Sequence, residues 1–341
     1  MSNPTPLLSV RNLKTYFDLD EGQVKAVDGV SFDVQPGQVV GIVGESGCGK
    51  SVTIKSVLRI IQPPGRLVEG EILFHPDNGA GQGPIDLAKF DANSKQMRAI
   101  RGKDIALIPQ EPMAAFSPVH TIGNQIMEAI LLHQPVTKKE ARQITIERLR
   151  EVGVPSPQDR IDAYSWELSG GLRQRAMIAM ALACNPKLLI ADEPTTAIDV
   201  TTQAQILNLL RNLQQQHNTA IIFITHDLGV IAQIADYVVV MYLGRVMETG
   251  PVDDIFHAPQ HPYTRALLES IPTIQSAPRE PLPTIAGSIP HPFNRPPGCP
   301  FFPRCPDFIP DTCNAQTPTL QPINQRQSAS CFLYHDEAEE N

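Results

Sequence analysis

The apolar run over residues 38–43 ends in Gly44-Glu45-Ser46-Gly47-Cys48-Gly49-Lys50-Ser51, and a helix-length amphipathic stretch follows over residues 51–61. This order of strand, glycine-rich loop and helix constrains the fold more than any other feature of the chain. Glycines at these spacings let backbone N–H groups turn inward around an anion, and the N-terminus of the next helix adds partial positive charge. The pattern is that of a phosphate-binding P-loop, which requires the strand before it and the helix after it. Gly44, Glu45, Ser46, Gly47, Cys48, Gly49, Lys50 and Ser51 are therefore the expected phosphate-binding residues. Lys50 is expected to reach the β- and γ-phosphates and Ser51 to ligate Mg²⁺, with Cys48 a small filler in the loop. The bland alternative, a turn that binds nothing, needs a chance match of about one per cent in a chain this long.

A P-loop alone does not choose among kinases, GTPases and motor ATPases. Leu188-Leu189-Ile190-Ala191-Asp192-Glu193 reads as an apolar strand ending in two carboxylates. Asp192 is placed to hold the Mg²⁺ shell, and Glu193 to orient or deprotonate an attacking water. The alternative is a surface acidic pair closing a strand. A third apolar run covers residues 220–225, and amphipathic helical stretches cover residues 137–152, 170–183 and 201–216. Strands alternating with helices predict an α/β fold on a mainly parallel sheet. Residues 69–84, with Asn78-Gly79-Ala80-Gly81-Gln82-Gly83, read as a hairpin with a loose turn.

Composition bounds the rest. The 341 residues carry a net charge of −8, with 42% hydrophobic and 19% charged residues, which is ordinary globular usage. The acidic balance argues against electrostatic binding to nucleic acid or anionic lipid. No apolar run approaches the ~20 residues that span a bilayer, and residues 1–10 show no signal-peptide pattern. Of the 32 prolines, 17 follow residue 250, as do four of the six cysteines. That shift predicts a boundary near Gly250, giving a domain over residues 1–250 and a Pro/Cys-rich extension over residues 251–341.

Leu168-Ser169-Gly170-Gly171-Leu172-Arg173-Gln174-Arg175, upstream of Asp192, resembles the signature motif of ABC ATPases, with Leu172 where many members have Gln. Independently of that, Ser169 and two glycines opening a helix make an anion-binding N-terminus; an ordinary helix cap is the plainer reading. The resemblance covers residues 7 to about 250. It implies a nucleotide-binding domain with a small antiparallel β subdomain and a helical subdomain over about residues 111–185. It also implies that Ser169, Gly170 and Gly171 cap ATP held by the other subunit of a head-to-tail dimer. Gln110 resembles the Q-loop glutamine, a Mg²⁺ and water ligand. Thr196-Ala197-Ile198-Asp199 stands at the D-loop, with Asp199 linking the two sites, and His226 resembles the switch histidine on the γ-phosphate. Phe17 aligns with the aromatic that stacks on adenine, with Tyr16 as the alternative. The implied catalytic set is Glu193, His226 and Lys50, acting on ATP and Mg²⁺.

Gln110-Glu111-Pro112-Met113-Ala114-Ala115-Phe116-Ser117-Pro118, His257-Ala258-Pro259-Gln260-His261-Pro262-Tyr263-Thr264 and Cys299-Pro300-Phe301-Phe302-Pro303-Arg304-Cys305-Pro306 resemble stretches of ATP-binding subunits of oligopeptide and dipeptide importers. The same subfamily serves nickel and other small solutes. The resemblance implies a peripheral subunit on the cytoplasmic face of the inner membrane. Its implied partners are two membrane-spanning permeases, a second, related ATP-binding subunit and, indirectly, an extracytoplasmic peptide-binding protein. A soluble ABC ATPase of repair or translation fits worse, since the chain has one cassette and no sustained heptads. Cys299, Cys305, Cys313 and Cys331 lie in proline-rich chain with little core of its own, so a covalent or metal staple is plausible there. Disulfides are disfavoured in a reducing cytosol, and no C-x₂₋₄-C pair of the zinc-ribbon kind is present. Cys-Pro occurs twice, as at some iron–sulfur ligands, and the resemblance suggests a [4Fe–4S] cluster; zinc and no metal are the alternatives. Trp166, beside the signature, reads first as packing and second as a partner contact.

Overall fold

The computed structural model describes residues 5–76, 83–111, 115–196, 199–271 and 285–334. The chain divides into two compact units: Met1–Leu8, Val34–Val39 and Leu73–Ile224 form the first, and Ser9–Asp33, Val40–Ile72 and Thr225–Asn341 the second.

The first unit is built on three parallel strands in the order Ala220–Ile224, Leu188–Asp192, Ile105–Ile108. Every residue of Leu188–Asp192 and Ala220–Ile224 is buried, as in parallel strands covered on both faces. The strands expected over residues 188–191 and 220–225 are thus present. Helices Ile122–His133, Lys138–Glu151 and Gly170–Ala181 pack on one another. Each starts at a hydroxyl cap, Thr121, Thr137 or Ser169, and Thr137 forms a reciprocal capping box with Glu140. Ile122, Ile126 and Ile130 are buried at fourfold spacing, the apolar stripe of a helix packed on one side. The helix Val200–His217 turns Ile206, Leu207, Leu210 and Leu213 inward in the same way. Leu73 and Phe74 pair antiparallel with Asp86 and Ile85, closing the expected hairpin; its turn residues 77–82 lie outside the described residues.

In the second unit, Val39–Val43 pairs in parallel with Tyr237–Tyr242 from Val40↔Tyr237 to Val43↔Val240. Tyr237–Tyr242 pairs antiparallel with Arg245–Pro251, which in turn pairs with Ser328–Ala329. The strand before the glycine-rich loop and the C-terminal segment therefore belong to one sheet. The composition shift at Gly250 falls inside the strand Arg245–Pro251. Proline suits the elements that follow: Pro262 sits in the first turn of the helix Pro262–Glu269, where a missing N–H costs nothing. Strands Gly22–Val34, Leu8–Leu19 and Gly65–Phe74 lie side by side in that order. Among the described residues no helix is long and apolar enough to cross a membrane.

Candidate functional site

The second unit carries the phosphate-binding loop. Gly44 has φ 149° and Gly49 φ 102°. A Cβ on Gly44 would collide with the carbonyl oxygen of Met241, and one on Gly49 with that of Ala26, so the tight path requires glycine at both. The helix Lys50–Val57 begins directly after Gly49 and has no acidic residue in its first turn, leaving its positive end uncancelled. Lys50 is buried, and its Nζ donates to the carbonyl oxygens of Gly44 at 2.8 Å and Glu45 at 3.2 Å. Cys48 is buried, and burial pushes its thiol pKa up against the opposing pull of Lys50; a protonated, inaccessible thiol fills space and does not attack.

Tyr16 and Phe17 are neighbours on the strand Leu8–Leu19 and so point to opposite faces. The Tyr16 hydroxyl donates to Asp28 Oδ1 at 2.7 Å. Burial, then the bond to Asp28, pushes its pKa up to about 12. Tyr16 is thereby committed to a buried carboxylate.

The first unit gathers the carboxylates. Asp192 is the buried last residue of Leu188–Asp192, and Glu193 follows it at φ 46°, a left-handed conformation costly for a residue with a side chain. The Glu193 N–H donates to the Ile224 carbonyl at 2.9 Å. Gln110, just beyond Ile105–Ile108, donates through Nε2 to Glu193 Oε2 at 3.1 Å. Thr196 Oγ1 donates to the same oxygen at 3.0 Å. Gln110, Asp192 and Glu193 thus meet at the carboxyl ends of parallel strands, where open α/β sheets bind ligands. His226, in the second unit, is exposed.

Ser169 is the N-cap of Gly170–Ala181, its Oγ accepting from Leu172 N at 3.4 Å. That is what an ordinary cap does, and an anion-binding helix start also begins this way. Asp199 caps Val200–His217, accepting from Thr202 N at 2.9 Å and Thr202 Oγ1 at 2.7 Å; the bonds from Thr202 hold its pKa below the usual carboxylate range. Ala197 and Ile198 of the D-loop stretch, and residues 112–114 of the stretch after Gln110, lie outside the described residues. Trp166 is 64% exposed and stacks on Tyr164 with ring centroids 5.6 Å apart. The packing role expected first for it is met only by this surface stack on Tyr164, since most of the ring is exposed. Gln174 had no expected role. It is buried and donates to the Pro194 carbonyl at 2.6 Å, tying the signature helix to the residue after Glu193.

Cys299, Cys313 and Cys331 are buried, Cys305 is half-buried, and all four are free thiols. Cys299 N donates to the Cys313 carbonyl at 2.8 Å. Burial first, and the other three thiols in addition, push Cys299 up to about 12; burial raises Cys305 to about 11. The four thiols are thus near enough to oppose one another's ionisation. Among the described residues, however, no group of three or more His, Cys, Asp or Glu side chains is placed to hold a metal ion.

A family model described as ABC transporter matches residues 27–196, and one described as Oligopeptide/dipeptide transporter, C-terminal region, matches residues 247–313. The chain is 48% identical over 335 residues to the oligopeptide transport ATP-binding protein AppD of Bacillus subtilis (strain 168), with 98% of each covered. It is 46% identical over 332 residues to the dipeptide transport ATP-binding protein DppD of Escherichia coli (strain K12), covering 97% of this chain and 98% of that one. Among solved structures, the dimeric bacterial ABC transporter cassette MJ0796 matches with a TM-score of 0.62 at 25% identity, over 72% of this chain and 98% of that one.

Proposed function

The chain belongs to the ATP-binding proteins of ABC transporters, and on that premise we propose that it is the ATP-hydrolysing subunit of an importer of dipeptides or oligopeptides. The observation that carries the hydrolytic part is the meeting of Gln110 and Glu193 beside Asp192 at the carboxyl ends of two neighbouring parallel strands. The peptide assignment is supported by the names of the two relatives and by the match of residues 247–313.

In this reading the loop from Gly44 to Ser51 cradles the ATP phosphates and Phe17 stacks on the base. Ser51, Gln110 and Asp192 would hold Mg²⁺, which when bound would offset charge on the phosphates. Glu193 takes a proton from the attacking water, while Lys50 and His226 stabilise the charge spreading over the γ-phosphoryl group. Ser169, Gly170, Gly171 and Asp199 complete the site of a second ATP-binding subunit, related to this one but not identical. Closure and reopening of that dimer drive two permeases at the cytoplasmic face of the membrane.

For the four cysteines we keep the iron–sulfur reading, supported by the all-thiol donor set and the two Cys-Pro pairs, with zinc and no metal as the alternatives. When bound, such a cluster would staple the extension. Iron and acid-labile sulfide in anaerobically purified protein test it, and values near zero for both reject it. The transport reading is tested by peptide uptake in cells lacking the endogenous subunit. The wild-type chain restores uptake and Glu193→Gln does not. A chain that co-purifies with no membrane protein and supports no uptake would overturn the assignment.

A further inference from the structure

Arg304 forks onto Glu45 of the phosphate-binding loop, with Nη1 to Oε2 at 2.8 Å and Nη2 to Oε1 at 3.1 Å. The Arg304 side chain is only 4% exposed. Its Nη1 also donates to the Tyr242 hydroxyl at 3.2 Å and its Nε to the Ala286 carbonyl at 3.0 Å, so the guanidinium cannot swing without breaking several bonds. Glu45 is held from other sides too. Its N–H donates to the Tyr263 hydroxyl at 3.0 Å, and its carbonyl accepts from Lys50 Nζ at 3.2 Å. Arg304 and Tyr263 both come from the segment after residue 250.

The anchor of this fork is the cysteine-rich segment. Arg304 ends the short 3₁₀ turn Phe302–Arg304 and immediately precedes Cys305. Phe302 N donates to the Cys299 carbonyl at 3.1 Å, and Cys305 N to the Phe302 carbonyl at 3.2 Å. Two of the four cysteines therefore bracket the turn that aims the guanidinium.

We propose that Arg304 is a positioning residue for the phosphate-binding loop, and that through it the cysteine-rich segment sets nucleotide affinity. The inference rests on the reading of Gly44 to Ser51 as the ATP phosphate site. Arg304 acts in two ways. The bidentate fork fixes the first variable residue of the loop. It also neutralises a carboxylate that would otherwise repel the phosphates from within the loop. A lysine would supply charge without the fork.

The test measures Mg-ATP affinity and steady-state hydrolysis of the full-length chain. Arg304→Met is expected to raise Kd and KM about tenfold, with the effect falling on KM rather than kcat. Arg304→Lys is expected to recover part of it. The double variant Arg304→Met with Glu45→Gln is expected to bind more tightly than Arg304→Met alone, because the uncompensated charge is gone. Cys299→Ser and Cys305→Ser are expected to raise Kd in the same direction. Wild-type affinity in a folded Arg304→Met variant overturns the proposal, as does a loss confined to kcat. If Arg304→Met does not fold, Arg304→Lys decides, and unchanged affinity there also overturns it. Lys50→Ala separates the two readings. If it abolishes binding while the Arg304 variants do not alter it, only the role of Arg304 fails. If Lys50→Ala binds ATP normally, the phosphate-loop reading fails with it.

Discussion

Gln110 Nε2 lies 3.1 Å from Glu193 Oε2, so a loop glutamine and a strand-end carboxylate more than eighty residues apart share a hydrogen bond. That bond and the one from Thr196 Oγ1 at 3.0 Å hold Oε2 of Glu193 in place. Glu193→Gln keeps the shape and removes the base. It is expected to lower kcat by about 10²–10⁴-fold while ATP affinity changes little, as read by single-turnover hydrolysis beside equilibrium binding. Undiminished turnover in Glu193→Gln would remove Glu193 from the mechanism. Gln110→Ala, which loses the positioning contact and keeps the base, is expected to cost less.

The parts of this molecule written locally were legible from sequence. Strand, glycine loop and helix are contiguous around Lys50, so the loop could be placed before any tertiary contact was known. Strands at Leu188–Asp192 and Ala220–Ile224 declared themselves as continuous apolar runs because both faces are covered. Gln110 has no local signature and was reached only through the family resemblance. Arg304 and Arg295 were not legible as partners of Glu45 and Asp28, since the contacts span 259 and 267 residues and nothing in a single sequence encodes that pairing. The exposure of Trp166 was not legible for a related reason, since residue type favours burial while an exposed surface is decided by tertiary packing.

The signature glycine offers a test in which stability and activity part company. A Cβ on Gly170 would meet no atom within 4 Å, and Gly170 opens the helix Gly170–Ala181. Gly170→Ala is therefore expected to leave the folded chain intact or stabilise it by up to about 1 kcal/mol. Hydrolysis is nevertheless expected to fall at least tenfold in the assembled transporter if, as in the proposed function, that open space receives a second subunit's nucleotide. Thermal melting and ATPase rate measured on the same preparation decide it. Full activity would show that nothing approaches that helix start closely.

Asp28 is the hub of a buried cluster, accepting from Tyr16 Oη at 2.7 Å, Arg245 Nη2 at 2.8 Å and Arg295 Nη1 at 2.9 Å. Burial alone would raise its pKa, but the Tyr16 bond and the two guanidiniums outweigh it and hold the carboxyl below the usual range. A carboxyl depressed in the fold contributes stability above its unfolded pKa of about 3.9 and loses it as pH falls through the lower folded value. Asp28→Asn strands two arginines around a neutral group and is expected to cost about 3 kcal/mol at neutral pH. Urea unfolding across pH checks the sign, with the gap between variant and wild type narrowing below about pH 4. A gap that does not change with pH would mean the loss is one of packing.

His261 supplies the opposite case, a base kept neutral. It is 1% exposed, caps the helix Pro262–Glu269 by accepting at Nδ1 from Tyr263 N at 2.9 Å, and lies beside Phe301. Burial, reinforced by the Arg265 charge and opposed by a contact with Ser330, brings its pKa down to about 3. Above about pH 6.5 both folded and unfolded states hold it neutral, so it adds no pH dependence there. As pH falls further, the unfolded chain takes up a proton that the folded one refuses. Stability should then decline by up to about 1.4 kcal/mol per pH unit, until the folded state is protonated near pH 3. His261→Asn keeps a side-chain acceptor for Tyr263 N and removes the titration. Between pH 6 and pH 4 its unfolding free energy is expected to fall less steeply than that of wild type by about one proton's worth. Parallel slopes would mean that the ring is protonated in the fold, which its contacts do not accommodate. The consequence reaches the site, because Tyr263 also holds the backbone of Glu45 at 3.0 Å. Because the folded ring stays neutral down to about pH 3, the His261 cap and the hold of Tyr263 on Glu45 should persist wherever the chain stays folded.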